Sequence, residues 1–182
     1  MEAMTAVETP GRFARTDLAA MPDDGRRYEL LDGAIVVTPA PGPAHQQVVF
    51  RLARLLDDVV PAGLRVFVAP LDVALPTGDV LEPDVVVVRN DAVTATDVTG
   101  VPLLAVEVIS PSSRRRDLGD KLTAYRDAGV SSYWVVDPVG PRLRAWRLET
   151  GEYVEVADVS GDEEWVARLP YSVTICPAGL LK

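Results

Sequence analysis

The chain has 182 residues, 48% hydrophobic and 25% charged, the balance of one globular domain long enough to bury a sizeable core. No apolar run reaches the roughly 18 residues of a membrane span, the first residues lack the basic and apolar regions of a secretory signal, and a single cysteine, Cys176, excludes an internal disulfide framework and a cysteine-built zinc cage. The net charge of −9 weighs against nucleic acid as a partner, because phosphate binding usually leaves a basic footprint. A total says nothing about one cleft, however, and Arg51, Arg54, Arg114, Arg115, Arg116 and Arg126 can form a local basic rim. The expected compartment is the cytoplasm.

Residues 1–15 carry few apolar anchors and the breaker Pro10-Gly11, so they read as a disordered tail ahead of one domain over 16–182. Thr16 suits the cap of a short helix over 17–21, ended by Pro22 and Gly25. Segments 28–31 and 34–37 flank Asp32-Gly33, the strongest hairpin signal in the chain. A proline-rich loop then leads to a helix over 44–60, on which Val48, Val49, Leu52, Leu55, Leu56 and Val59 share a face. Strands follow over 64–69, 71–75, 83–89 and 103–110, with 90–102 as a surface connection. Asp117 suits the cap of a second helix over 118–128, stopped by Gly129. A buried strand over 132–136 ends at Asp137-Pro138, and 142–148, 153–157 and 165–169 alternate like an antiparallel meander. The order is hairpin, helix, three or four strands, helix, strand, then a β extension.

Two carboxylates stand out against this pattern. Glu107 lies inside the run Leu103-Leu104-Ala105-Val106-Glu107-Val108-Ile109, and Asp84 opens the run Pro83-Asp84-Val85-Val86-Val87-Val88. Such runs read as strands covered on both faces. An ionised carboxylate there must be protonated, paired with a cation or bound to a metal. Neighbouring strands can bring both acids to one end of a sheet, where Mg²⁺ would find oxygen ligands and keep several waters, with the Val108 carbonyl as a third oxygen. The plainer alternative is that Glu107 faces solvent and Asp84 merely begins a strand.

Lys121 and the terminal Lys182 are the only lysines, and Leu118, Lys121, Leu122 and Tyr125 fall on one helical stripe. Lys121 either snorkels at the edge of that stripe or places an ammonium near the two acids. His45, the only histidine, points along the apolar face of its helix, as a core residue or a site residue. Glu29 either completes a metal shell or faces water. Ser112, Arg114 and Arg115, after Ser110-Pro111, form a solvated loop or a set of phosphate contacts.

The series Tyr28-Glu29-Leu30-Leu31-Asp32-Gly33, His45, Glu82-Pro83-Asp84, Val106-Glu107-Val108-Ile109-Ser110-Pro111-Ser112, Asp117-Leu118-Gly119-Asp120-Lys121 and Tyr133-Trp134-Val135-Val136-Asp137-Pro138 resembles the bacterial Uma-type restriction-endonuclease family of the PD-(D/E)XK nuclease superfamily. Each motif alone is weak; their order is specific. The resemblance implies an α/β (α+β) fold with a restriction-endonuclease-like core: a mixed central sheet flanked by helices, followed here by an antiparallel β extension. It further implies Asp84 and Glu107 as ligands of Mg²⁺, with Mn²⁺ as a substitute, Glu29 as an accessory acid and His45 lining the site. The lysine that the superfamily places two residues after the second acid is Ile109 here, and Lys121 is its natural substitute.

The expected function is metal-dependent hydrolysis of DNA by an activated water. The rival is a catalytically degenerate, dimeric nucleic-acid-binding or regulatory module on the same scaffold, favoured by the acidic charge and the missing Glu-x-Lys spacing. The β extension, with Trp146 and Trp165, either covers the core or pairs across a two-fold axis. A homodimer is expected, because two cuts in a duplex suit a symmetric pair.

Overall fold

The structure is a computed structural model and describes residues 12–182. In chain order it contains α1 (Arg15–Leu18), β1 (Arg27–Leu31), β2 (Ala34–Thr38), α2 (Pro43–Asp57), β3 (Leu64–Val68), β4 (Val73–Ala74), β5 (Val80–Leu81), β6 (Val85–Arg89), β7 (Val98–Thr99) and β8 (Leu104–Val108). The second half adds α3 (Arg114–Asp117), α4 (Asp120–Asp127), β9 (Ser132–Asp137), β10 (Arg142–Glu149), β11 (Glu152–Ser160), β12 (Trp165–Ala167) and β13 (Val173–Ile175). Short 3-10 turns cover Asn90–Ala92 and Pro177–Leu181.

The valine-rich runs form the middle of a mixed six-stranded sheet, ordered β11-β10-β9-β8-β6-β3. Only β8 and β9 run parallel; every other pairing in this sheet is antiparallel. Alternation along the strands divides the core. Val85 and Val87 pack with Val48, Leu52 and Leu56 of α2 on one face. Val86 and Val88 pack with Ala124 and Tyr125 of α4 on the other. That second face also receives Leu31, Val73 and Leu81 from a smaller sheet, ordered β2-β1-β5-β4-β7. Both faces of β6 and β8 are therefore covered, which explains their nearly unbroken apolar sequence.

The hairpin forms at Asp32-Gly33, where both residues take positive φ, 48° and 73°. This left-handed pair matches the twist of the flanking strands and favours Asp-Gly. At the N-terminus, the Ala14 N–H donates to the Asp17 carboxylate at 2.7 Å. The first helix therefore starts earlier than expected, with Asp17 rather than Thr16 closing its end. Of the tail assigned to 1–15, residues 1–11 lie outside the described residues. Beyond them the chain is tied to the hairpin: Phe13 N–H donates to Gly33 O at 2.8 Å, and its ring packs with Leu18 and Ile35.

Three other segments depart from expectation. The connection over 90–102 contains β7, whose Val98 is fully buried and pairs in parallel with β4. A lone β-branched residue among polar neighbours gives no periodic signal, so the short strand was invisible. The helix expected over 118–128 is interrupted at Gly119, where a Cβ would approach Arg115 O to 2.9 Å. Glycine permits that tight turn; the expected helix begins only at Asp120 as α4, and α3, one turn that includes the expected cap Asp117, precedes it. The helix expected over 44–60 ends at Asp57, so Val59 lies beyond α2, and both it and Leu55 are exposed rather than part of the packed stripe.

The C-terminal extension covers the core. Trp165 sets its ring edge-on to Trp134 at 5.3 Å between centroids, and Tyr171 Oη donates to Leu56 O at 2.9 Å. Leu52, fully buried between α2 and the sheet, sits at the centre of this layer. Leu52→Ala removes buried volume that its neighbours refill only in part, so urea unfolding should report a loss of about 2–5 kcal/mol. A loss well under ~1 kcal/mol would show that this seam does not carry the core.

Candidate active site

The strand register places the two acids. Val85 pairs with Val106 and Val86 with Ala105, so Asp84 and Glu107 stand opposite each other as the ladder between β6 and β8 opens. By alternation Glu107 projects to the face that carries Ala105, toward α4. There Lys121 and Tyr125, one helical turn apart, reach the same oxygen: Lys121 Nζ and Tyr125 Oη donate to Glu107 Oε1 at 2.8 and 3.0 Å. Lys121 also lies 2.7 Å from Glu29 Oε1. That oxygen in turn accepts the Glu82 N–H at 2.8 Å.

Asp84 is held from three sides. Arg27 Nη1 donates to Oδ1 at 2.9 Å, and the Val108 N–H donates to Oδ2 at 2.8 Å. His45 Nε2 lies 3.0 Å from the same Oδ2. Facing a carboxylate, this nitrogen carries a proton, while Nδ1 is buried without a partner. Arg27 and Glu29 alternate on β1 and so share a face, and His45 stands in the first turn of α2.

Asp84, Glu107, Lys121, Glu29, His45 and Val108 thus line one pocket. Val108 directs its N–H, not a demonstrated ligand oxygen, at Asp84. The expected phosphate loop is altered. Ser112 lines the pocket, but Arg114 is paired with Asp137, and Arg115 is exposed outside the lining. Both stand on α3 rather than on a loop, and that turn of helix brings Arg116 to the pocket instead.

Of the residues not expected in the site, Arg27 draws no assignment from the sequence, Asp117 reads as a helix cap and Tyr125 as part of a packing stripe; Arg116 belongs to the basic run expected to meet phosphates. Arg27 was legible in principle, since it lies two residues before Glu29 on one strand face. Asp117, expected as a helix cap, is a buried carboxylate in the pocket wall. The helix break at Gly119 turns it there.

Among the described residues, five carboxylates are buried, on Glu29, Glu82, Asp84, Glu107 and Asp117, against one buried ammonium, on Lys121. Burial pushes the Glu107 carboxyl well above the usual range, opposed by Lys121 and reinforced by Asp117, Asp84 and Glu29. Burial and neighbouring Glu29 push Glu82 up to about 7. Burial acts the same way on Asp84, but the hydrogen bond from His45, the Arg27 charge and the Val108 N–H outweigh it and hold Asp84 below the usual range. Burial would lower Lys121, yet Glu107, Glu29 and Asp117 keep it charged.

No three His, Cys, Asp or Glu side chains converge as a metal cage among the described residues. The donors fit a different ion: a hard divalent cation that takes two carboxylates and keeps several waters. Glu107 Oε2 makes no hydrogen bond among the described residues, which leaves one carboxylate oxygen of the pocket wall unengaged.

The raised acids set a pH dependence. Their folded forms hold protons that the unfolded chain has released, so their stabilising contribution is full below about 4.5 and is lost as pH rises through the folded value. For Glu82 that window closes at about 7. Thermal melts of metal-free protein should therefore show higher Tm near pH 5 than near pH 8. Glu82→Gln should raise Tm at pH 8 by roughly 2–4 °C, equivalent to about 1 kcal/mol, with little effect near pH 4.5. An equal Tm for both proteins at pH 8 would refute the assignment.

No helix among the described residues is long and apolar enough to cross a membrane. No curated protein matches the chain. Among solved structures, a putative nuclease belonging to DUF820 from Anabaena variabilis is similar, with a TM-score of 0.71 and 15% sequence identity. The match covers 91% of this chain and 96% of that one. At that identity the likeness establishes the fold. Residues 15–175 match the Uma2 family, described as "Putative restriction endonuclease". The chain belongs to the Uma2 family.

Proposed function

We propose that the protein is a Mg²⁺-dependent endonuclease that hydrolyses phosphodiester bonds of DNA. The observation that carries this reading is the convergence of Asp84, Glu107 and the inward-facing ammonium of Lys121 on one pocket at the mouth of β6 and β8. Family membership and the nuclease-like fold support the same chemistry.

Asp84 and Glu107 would hold the ion, the latter through its unengaged Oε2. When bound, Mg²⁺ supplies Lewis acidity toward a phosphoryl oxygen and an acidified water. The remaining work falls to side chains. Lys121 stays protonated between Glu29 and Glu107, where it fixes both carboxylates and offsets negative charge gathering on the phosphoryl group. Tyr125 pins Glu107 Oε1, and so selects which oxygen faces the pocket. His45 holds Asp84 through Oδ2 and stands within reach of a proton in transit. Arg116 and the hydroxyls of Ser110, Ser112 and Ser113 line the pocket, where they suit phosphate oxygens on an otherwise acidic molecule. We assign the protein to the cytoplasm as a homodimer, whose two-fold axis would present two such sites to the two strands of a duplex.

A second reading, a nucleic-acid-binding module without catalysis, is favoured by one observation. The lysine reaches the acids from α4 rather than from β8, where Ile109 takes its place.

Incubation of plasmid DNA with Mg²⁺ or Mn²⁺, followed by EDTA quenching, separates the two. Asp84→Asn and Glu107→Gln should each lower cleavage by about 10³-fold, and Lys121→Ala by at least about 10²-fold. Circular dichroism should show each variant folded. Full activity in Asp84→Asn or Glu107→Gln would refute the assignment; DNA binding without cleavage in the unaltered protein would select the second reading.

A further inference from the structure

The environment of Arg27 carries an inference that rests on the nuclease reading and adds to it. Asp84 accepts three hydrogen bonds, Oδ1 from Arg27 and Oδ2 from His45 and the Val108 N–H, so of its roughly four lone-pair sites the one left lies on Oδ1, beside the guanidinium. A cation that takes Oδ1 is set against that guanidinium unless Arg27 yields. The Val108 N–H is fixed in the backbone next to the β8–β9 ladder. His45 is set on the first turn of a 15-residue helix and is nearly enclosed. Arg27 differs from both. Its long side chain, on the first residue of β1, retains 18% exposure and lines the pocket. It makes a single hydrogen bond among the described residues, and its buried Nε, like His45 Nδ1, lacks a partner.

The geometry points to Arg27 as an exchangeable counterion. It neutralises Asp84 in the metal-free protein. When a divalent ion takes Asp84, Arg27 is released and its guanidinium fork engages an oxygen of the phosphodiester being cut. Two physical arguments support the exchange. A dication beside Asp84 repels the guanidinium, while a phosphate offers it the planar, two-point partner that its geometry fits. Of the other cations that line the pocket, Lys121 is committed to Glu29 and Glu107, and Arg116 makes, among the described residues, no ion pair with Asp84 that a metal could displace. Loading of the ion and gripping of substrate are then ordered, because the same side chain cannot serve both partners.

The test needs no turnover. Mn²⁺ binding is measured by isothermal titration on the full chain without DNA, for the unaltered protein, Arg27→Gln, Arg27→Lys and Asp84→Asn. Binding of a short DNA duplex is measured with Ca²⁺ as the divalent ion. Removing the competing charge should let Arg27→Gln bind Mn²⁺ about tenfold more tightly and the duplex about tenfold more weakly. Arg27→Lys keeps the charge but not the fork, so it should bind Mn²⁺ like the unaltered protein and the duplex more weakly. Should Arg27→Gln fail to fold, as judged by circular dichroism, the duplex affinity of Arg27→Lys decides. Mn²⁺ binding no tighter in folded Arg27→Gln, or an unchanged duplex affinity in either variant, overturns the exchange alone. Absence of Mn²⁺ binding in the unaltered protein, with Asp84→Asn no different, overturns the nuclease reading and the exchange together.

Discussion

A single ammonium organises the site. Lys121 is buried and lies 2.7 Å from Glu29 and 2.8 Å from Glu107. Two carboxylates so close, shielded from water, would repel one another strongly at the low effective dielectric of a protein interior. The charge between them makes their proximity tolerable. Removing one partner of such a cluster costs more than the attraction it supplied, because the others are left buried and uncompensated. The position of α4 against the large sheet, and of β1 beside both, therefore depends on this contact as well as on packing.

The rest of the architecture delivers groups to that point by simple geometry. Strand alternation sends Glu107 toward α4 while Val106 and Val108 pack on the α2 side. The break at Gly119 lets α3 and α4 take different directions, so that Asp117 and Lys121 reach the same pocket from separate turns. The aromatic layer behind the site, with Tyr125 and Tyr133 rings 5.0 Å apart, excludes water and strengthens every charge interaction in front of it.

Much of this was legible in the sequence, for definite reasons. The two acids interrupt apolar runs, and an interruption of that kind has few physical solutions. The stripe through Leu118, Lys121, Leu122 and Tyr125 gave the direction of the lysine. The hairpin was visible because Asp-Gly is one of the few pairs that tolerate two positive φ values. The smaller sheet was visible only in its hairpin and in the strand expected over 71–75, which contains β4; β5 and β7 have two residues each, too few to show a period, and their pairing is long-range. Arg27 was hidden for a different reason. Arginine is ordinarily a surface residue, and only the converging backbone shows which guanidinium lies beside which acid. Arg114 and Arg115 stand on α3 outside the pocket lining, Arg114 against Asp137.

The site draws on both sheets. Arg27 and Glu29 belong to β1 of the small sheet, whereas Asp84 and Glu107 stand at the end of β6 and β8 of the large one. Neither sheet contains a complete set of groups by itself. A rigid-body slip of a single ångström along this seam would unhook the ammonium from one acid and the guanidinium from another while leaving every strand intact. The geometry of the pocket is thus a property of the joint between two plates, and whatever tightens or loosens that joint acts as a dial on it.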